Sequence, residues 1–132
     1  MTDREALLAY RLKQAEETLA DAQAMAESKL SPRSIVNRTY YAMFYAVLGL
    51  FLKTNVTLKT SKHSGIISIF DQAFILSGKM DKQLSKSLHK MFNARQLADY
   101  KELVEVSVEE VDEALEAARE FIEEIKKFIA VQ

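Results

Sequence analysis

The chain has 132 residues, of which 48% are hydrophobic and 28% are charged, enough apolar side chains for the core of one globular domain. It contains no cysteine, which excludes disulfide bonds, thiol catalysis and cysteine ligands for a metal. Only three glycines and one proline are present, few for a β-protein built on tight turns. We therefore predict a single all-α domain over residues 1–132.

Hydrophobic periodicity and helix-breaking residues divide the chain into five predicted helices. Short connections between long amphipathic helices favour antiparallel neighbours, so we expect an up-and-down helical bundle. The predicted helices cover approximately residues 3–29, 31–53, 64–77, 81–100 and the segment from 107 to the end of the pattern.

Residues with specific roles at helix ends mark three of these boundaries. Ser31 can cap the second helix, and Pro32 fits its first position, where no backbone donor is missed. Gly78 suits the left-handed residue that follows the third helix. Ser107 and Glu110, three residues apart, predict a capping box at the start of the fifth helix.

The second predicted helix contains the sequence "NRTYYAMFYAVLGLFLKT" at residues 37–54, in which residues 39–52 carry no charge. This run is too short and too polar to cross a bilayer, and it is apolar on every face, which predicts a core helix that its neighbours surround. Its small residues would let another backbone approach closely, within the bundle or across a dimer axis. They are Thr39, Ala42, Ala46 and Gly49. The N-terminus is charged from its third residue, so we expect a cytoplasmic protein without a membrane segment.

Charge is unevenly distributed along the chain, although the net charge is only −1. Residues 28–101 carry a net charge of +9, whereas the segments before and after them are acidic. This basic part could attract phosphate-bearing partners such as nucleotides or RNA. Alternatively, the acidic first and fifth helices pair with their basic neighbours inside the bundle.

One arginine lies on a stripe of the fourth helix that should face the core. Leu84, Leu88 and Met91 form this stripe, and Arg95 is the next position on it. A guanidinium on a core-facing stripe is costly unless it is paired or lines a solvated cleft. Asp99, four residues later, is its candidate structural partner. Arg95 is therefore either one half of a structural ion pair or a planar donor for phosphate.

Three segments resemble the HEPN domain (higher eukaryotes and prokaryotes nucleotide-binding) over residues 4–130. They are "SIVNRTYYAMFYAVLGLFLKT", "TSKHSGIISIFDQAF" and "FNARQLADYKE". The resemblance implies a helical bundle that is often dimeric and is commonly encoded beside a minimal nucleotidyltransferase, many such pairs being toxin–antitoxin modules. It also implies, for toxic members, a metal-independent endoribonuclease whose motif arginine is followed about four to six residues later by a histidine.

This chain contains only part of the arginine–histidine motif. Arg95 matches the motif arginine, and Gln96 supplies the polar residue that often follows it. No histidine follows, and Tyr100 stands at the shortest motif spacing. His63, predicted near the first turn of the third helix, is the other candidate for proton transfer. The candidate catalytic residues are thus Arg95, Tyr100 and His63, with no metal or cofactor.

Three functions remain open at this point. The first is a binding subunit of a two-component nucleotidyltransferase or toxin–antitoxin-type system, forming a homodimer and pairing with a minimal nucleotidyltransferase. Its basic cleft would bind nucleotide or RNA phosphate through Arg38, Asn37, Lys62, Arg95 and Gln96. The second is a metal-independent endoribonuclease toxin that uses Arg95. The third is a helical dimerisation module without a ligand.

Overall fold

The chain forms five α-helices in a computed structural model that describes residues 1–100 and 105–132. The described residues contain no strand, and the all-α prediction and the number of helices are confirmed. The helices are α1 (Asp3–Glu27), α2 (Pro32–Thr54), α3 (His63–Phe70), α4 (Lys82–Tyr100) and α5 (Val108–Ala130).

The predicted helix starts rest on side-chain caps that the structure contains. The hydroxyl of Ser31 accepts a hydrogen bond from the backbone N–H of Ser34 at 3.2 Å, with Pro32 as the first helical residue. At α5, Ser107 and Glu110 form both bonds of the capping box. Each cap satisfies backbone donors that the helix itself leaves without acceptors, so these local sequences define where α2 and α5 begin.

The second helix occupies the centre of the bundle, as its uncharged run predicts. It is the one described helix long and apolar enough to cross a membrane, but 67% of its apolar window is buried by the other helices. Its small-residue stripe packs on antiparallel α1: a Cβ at Gly49 would lie 3.2 Å from Leu12 Cδ2. The close approach predicted from this stripe is therefore made within the bundle.

The predicted third helix over residues 64–77 has a different form in the structure. The α-helical part ends at Phe70, and Asp71–Ile75 form a π-helical turn, in which the N–H of Leu76 donates to the carbonyl of Asp71 at 2.9 Å. This turn keeps Phe70 and Phe74 buried, and both rings contact phenylalanines of α5. A π-helical turn adds one residue to the helical turn but does not change which side chains are apolar. Hydrophobic spacing alone therefore could not predict it.

Along the fifth helix, seven apolar residues from Val108 to Ile129 recur at steps of three and four, a spacing typical of one helix face. Six positions of the repeat are buried, whereas its first position, Val108, is 70% exposed because it lies at the very start of α5. The buried positions are Val111, Leu115, Ala118, Ile122, Ile125 and Ile129.

Candidate functional site

The guanidinium of Arg95 on α4 lies over two aromatic rings of α2. Its Cζ atom is 5.4 Å from the ring centroid of Tyr40 and 5.2 Å from that of Tyr41. These distances are within the range in which an aromatic ring attracts a cation. Only 23% of the Arg95 side chain is exposed, so the two tyrosines hold the cation at the edge of the core.

The polar contacts of Arg95 are incomplete. Its Nε is buried and has no hydrogen-bond partner in the described part of the chain. Asp99 Oδ2 is 3.6 Å from this Nε, which is within the range of an ion pair but longer than a hydrogen bond. A buried donor without an acceptor costs free energy. The donors of Arg95 that an incoming anion could reach are therefore its other guanidinium nitrogens, which are not among the buried unsatisfied atoms of the described residues.

His63 lies beside Arg95, at the first position of α3, where the sequence placed it. Its Nδ1 is 2.9 Å from the hydroxyl oxygen of Tyr40. Its ring stacks on Phe44 of α2, with 4.1 Å between the ring centroids. We call the residues Arg95, Asp99, Tyr40, Tyr41, Phe44 and His63 the Arg95 site.

Burial and the arginine charge set the protonation states within the Arg95 site. Burial, and secondly the positive charge of Arg95, lower the pKa of His63 below its usual value. Burial raises the pKa of Tyr40, and the opposing effect of Arg95 is smaller. At neutral pH the site therefore holds a neutral imidazole and a protonated tyrosine hydroxyl.

The other predicted phosphate ligands take different positions. Lys62 precedes α3 and is exposed, and Gln96 is exposed next to Arg95 on α4. Asn37 is half-buried, one helical turn before Tyr41. Arg38 pairs with Asp21 of α1 at 3.6 Å, and no described contact joins it to Arg95.

The predicted basic cleft at Arg95 does not coincide with any of three cavities in the structure. Cavities of about 860, 540 and 410 Å³ are lined by other residues. A ligand would reach Arg95 through the exposed part of its side chain. Tyr100, the third catalytic candidate, ends α4, and its side chain lies outside the described residues.

The uncharged run of α2 predicts that Tyr40, Tyr41 and Phe44 are core residues, and it does not predict their contacts with Arg95 and His63. The two adjacent tyrosines were the available signal. A buried tyrosine hydroxyl needs a hydrogen-bond partner, and a helix that is otherwise aliphatic and aromatic does not supply one. That requirement points to a polar residue on a neighbouring helix.

A second polar cluster joins the π-helical turn to α4. Asp71 accepts a hydrogen bond from the hydroxyl of Ser85 at 2.7 Å through one oxygen and contacts His89 Nε2 at 2.6 Å through the other. Because the serine hydroxyl is directed at the carboxylate, the imidazole is not placed to activate it. This cluster therefore links two elements and does not have the arrangement of a nucleophile and its base.

The chain is similar to known proteins over most of its length. A model of the HEPN domain matches residues 8–128. A Thermotoga maritima protein named "UPF0332 protein" is 37% identical over 129 residues, which covers 98% of this chain and 96% of the relative. Two Methanocaldococcus jannaschii proteins, named "Putative toxin MJ0142" and "Putative toxin MJ0605", are 35% and 34% identical. These two alignments cover 71% and 86% of this chain, and 63% and 81% of the respective relatives.

Proposed function

The chain belongs to the HEPN domain family, and we propose that it is the HEPN component of a toxin–antitoxin-type system that binds nucleotide or RNA phosphate at Arg95. The names of the two archaeal relatives support the toxin-type assignment. We further propose that the protein forms a homodimer and acts with a minimal nucleotidyltransferase partner. The acidic outer faces of α1 and α5 are the surfaces we assign to that partner.

One observation carries the proposed phosphate binding: the partly exposed guanidinium of Arg95 is held over two tyrosine rings, and no hydrogen bond from it is seen among the described residues. An arginine that served only as a structural ion pair would be expected to satisfy its buried donor. The planar guanidinium matches the oxygens of a phosphate, and the rings fix its orientation before a ligand arrives. Such preorganisation reduces the entropy that binding would otherwise cost.

Binding measurements with matched arginine variants test this proposal. Wild-type protein, Arg95→Ala and Arg38→Ala are titrated with a fluorescently labelled single-stranded RNA and with AMP at low salt. Losing charge-assisted hydrogen bonds should weaken binding by roughly 10- to 100-fold in Arg95→Ala. Arg38→Ala should bind nearly as wild type, because Arg38 is paired with Asp21 of α1 and no described contact joins it to Arg95. Equal binding by Arg95→Ala and wild type would refute phosphate binding at this site.

Growth on induction tests the toxin assignment separately. Expression of the wild-type chain alone should slow growth, Arg95→Ala should not, and Arg38→Ala should behave as wild type. Co-expression with a minimal nucleotidyltransferase encoded beside the gene should restore growth. Unimpaired growth under wild-type expression at matched protein levels would contradict the assignment.

His63 and Arg95 pack on the same two tyrosines, and two neighbouring groups able to contact one phosphate support an endoribonuclease as the second candidate function. In that reaction the ribose 2′-oxygen loses its proton to a base and bonds to the adjacent phosphorus. The 5′-oxygen then leaves and takes up a proton, while Arg95 stabilises the negative charge on the phosphorus substituents. RNA cleavage by wild type that disappears in Arg95→Ala would support this candidate, and cleavage that persists undiminished would exclude Arg95 from it.

A further inference from the structure

The direction of the hydrogen bond between Tyr40 and His63 follows from burial. Tyr40 is 0% exposed, so its hydroxyl hydrogen cannot be satisfied by bulk water. A buried hydroxyl requires an acceptor, and the described acceptor within reach is Nδ1 of His63, 2.9 Å away. Tyr40 is therefore the donor, and Nδ1 is the acceptor.

This direction fixes the tautomer of His63. A neutral imidazole carries one N–H, and with Nδ1 as acceptor the hydrogen must be on Nε2. The lowered pKa of His63 keeps this neutral form at neutral pH. The Nδ1 lone pair is used by Tyr40 and Nε2 already carries hydrogen, so neither nitrogen is available to accept a proton. A general base needs an available lone pair directed at its substrate.

The surroundings of the ring hold this state in place. Phe44 stacks on one face of the imidazole, and Tyr41 meets it edge-on with 5.6 Å between the ring centroids. Arg95 supplies the nearby positive charge that opposes protonation. No described hydrogen bond occupies Nε2. The Arg95 site thus presents two kinds of donor, a guanidinium and a neutral imidazole N–H.

We propose that His63 binds a phosphodiester oxygen as a neutral hydrogen-bond donor through Nε2–H, with Tyr40 as the positioning residue that fixes this tautomer. The proposal rests on the proposed phosphate binding at Arg95. It assigns His63 to ligand binding and removes it from proton transfer. Because the neutral imidazole of His63 carries no charge, its N–H can contact the ligand without repelling the guanidinium of Arg95.

The tautomer can be read directly by long-range ¹H–¹⁵N NMR of protein labelled at its two histidines. His89 serves as the second signal, and His89→Gln assigns it. We expect His63 to show hydrogen on Nε2 and none on Nδ1, and to titrate with a midpoint below 6.5. Tyr40→Phe should move His63 towards a mixture of tautomers. Hydrogen on Nδ1 of wild-type His63, or an ordinary titration midpoint, would overturn the proposal.

Ligand binding is tested with a single-stranded 2′-O-methyl RNA hexamer. Its phosphodiesters do not titrate between pH 6.5 and 8, and it has no 2′-hydroxyl to attack, so binding is measured without cleavage. We expect His63→Ala to bind roughly 5- to 10-fold more weakly, as for one lost hydrogen bond. His63→Gln retains an amide donor and should lose less, and His89→Gln should bind as wild type. Affinity should be constant over this pH range.

The two proposals fail in different ways. If Arg95→Ala binds the hexamer as wild type does, phosphate binding at Arg95 is refuted, and with it the ligand-binding role of His63. If Arg95→Ala is weakened but His63→Ala and His63→Gln both bind as wild type, only the role of His63 is refuted. An affinity that rises as the pH falls from 8 to 6.5 would show an imidazolium at work and would also refute the neutral donor.

Discussion

Two arginines on neighbouring elements show how differently the bundle treats a positive charge. Arg38 projects from α2 towards α1, is 40% exposed and pairs with the exposed Asp21. Arg95 on α4 is less exposed, lies over two tyrosine rings and has a buried Nε without a hydrogen-bond partner among the described residues. Both belong to the predicted phosphate site, whereas in the structure each contacts different partners.

The difference indicates which region can accept a ligand. Around Arg38, water and a carboxylate already satisfy the charge, and an exposed pair of this kind contributes little to stability. Around Arg95, aromatic rings replace water on one side and leave a donor without an acceptor. Because the ligand-free protein lacks a hydrogen bond at Arg95 among the described residues, binding an anion there could add hydrogen bonds that stabilise the folded state.

The largest expected effect comes from removing the aromatic support of the Arg95 site. Phe44 is 6% exposed and Phe51, two turns further along α2, is 2% exposed. Replacing either by alanine should lower the free energy of unfolding by about 3–5 kcal/mol, because each leaves a cavity in the core. Urea denaturation measures this loss.

The two variants should differ at His63. Of these two phenylalanines, Phe44 stacks on that imidazole and Phe51 stacks on Phe74. In the NMR titration, Phe44→Ala should therefore shift the His63 midpoint towards its ordinary value, and Phe51→Ala should leave it unchanged. A loss below about 1 kcal/mol in Phe44→Ala would show that this ring does not support the Arg95 site as the structure indicates.

A second prediction is that a substitution of Arg95 increases the free energy of unfolding, whereas most substitutions in a core decrease it. Arg95→Met should stabilise the fold by about 1 kcal/mol, because it removes a buried unsatisfied donor, whose cost is about 1–3 kcal/mol. The lost cation–π contacts and the ion pair with Asp99 offset only part of that gain. The control, Arg38→Met, should change stability by less than about 0.5 kcal/mol. Destabilisation by Arg95→Met in urea denaturation would show that Arg95 has a mainly structural role.

Much of this fold could be predicted from local signals. The caps at Ser31 and Ser107 and the uncharged run of α2 each determine a feature through residues close together in sequence. The π-helical turn after Phe70 could not be predicted this way. Asp71, the first residue of this turn, contacts Ser85 and His89, which are 14 and 18 residues away, and such tertiary contacts are not visible in the local sequence.

The Arg95 site was predictable in its charged members and not in its aromatic ones. Arg95 was conspicuous because it interrupts an apolar stripe, and Asp99 followed at helical spacing. The hydroxyl of Tyr40 indicates that it needs a polar partner, but the sequence does not identify that partner as His63, 23 residues away. Contacts between helices depend on how the helices pack, and helical periodicity alone does not determine that packing.

The pH dependence of stability provides a smaller test of the Arg95 region. The pKa of His63 is lowered in the folded state, mainly by burial and secondly by Arg95, and returns to about 6.5 on unfolding. The unfolded chain thus binds the proton more readily, so stability is fully present above pH 6.5. It declines as the pH falls from 6.5 to the folded-state pKa of His63, below which this decline stops.

Unfolding of wild type and His63→Asn at several pH values between 7.5 and 5 isolates this contribution. The wild type should lose more stability than the variant over that range, since carboxylates contribute equally to both. When the same comparison is made in an Arg95→Met background, part of the difference should remain. Burial still lowers the pKa of His63 after the charge of Arg95 is removed. Parallel pH profiles for wild type and His63→Asn would contradict a lowered pKa for His63.

The smallest expected effect is at the Arg38 region, where Asp21→Asn removes the negative partner of an exposed ion pair. The free energy of unfolding should fall by less than about 0.5 kcal/mol, because water solvates both groups well when they are apart. Even this loss should vanish at about 1 M salt, where charges are screened within a few ångströms. Measuring wild type and variant at low and high salt provides the check. A salt-independent loss above 1 kcal/mol would mean that Arg38 depends on its carboxylate more than its exposure suggests, and the contrast with Arg95 would weaken accordingly.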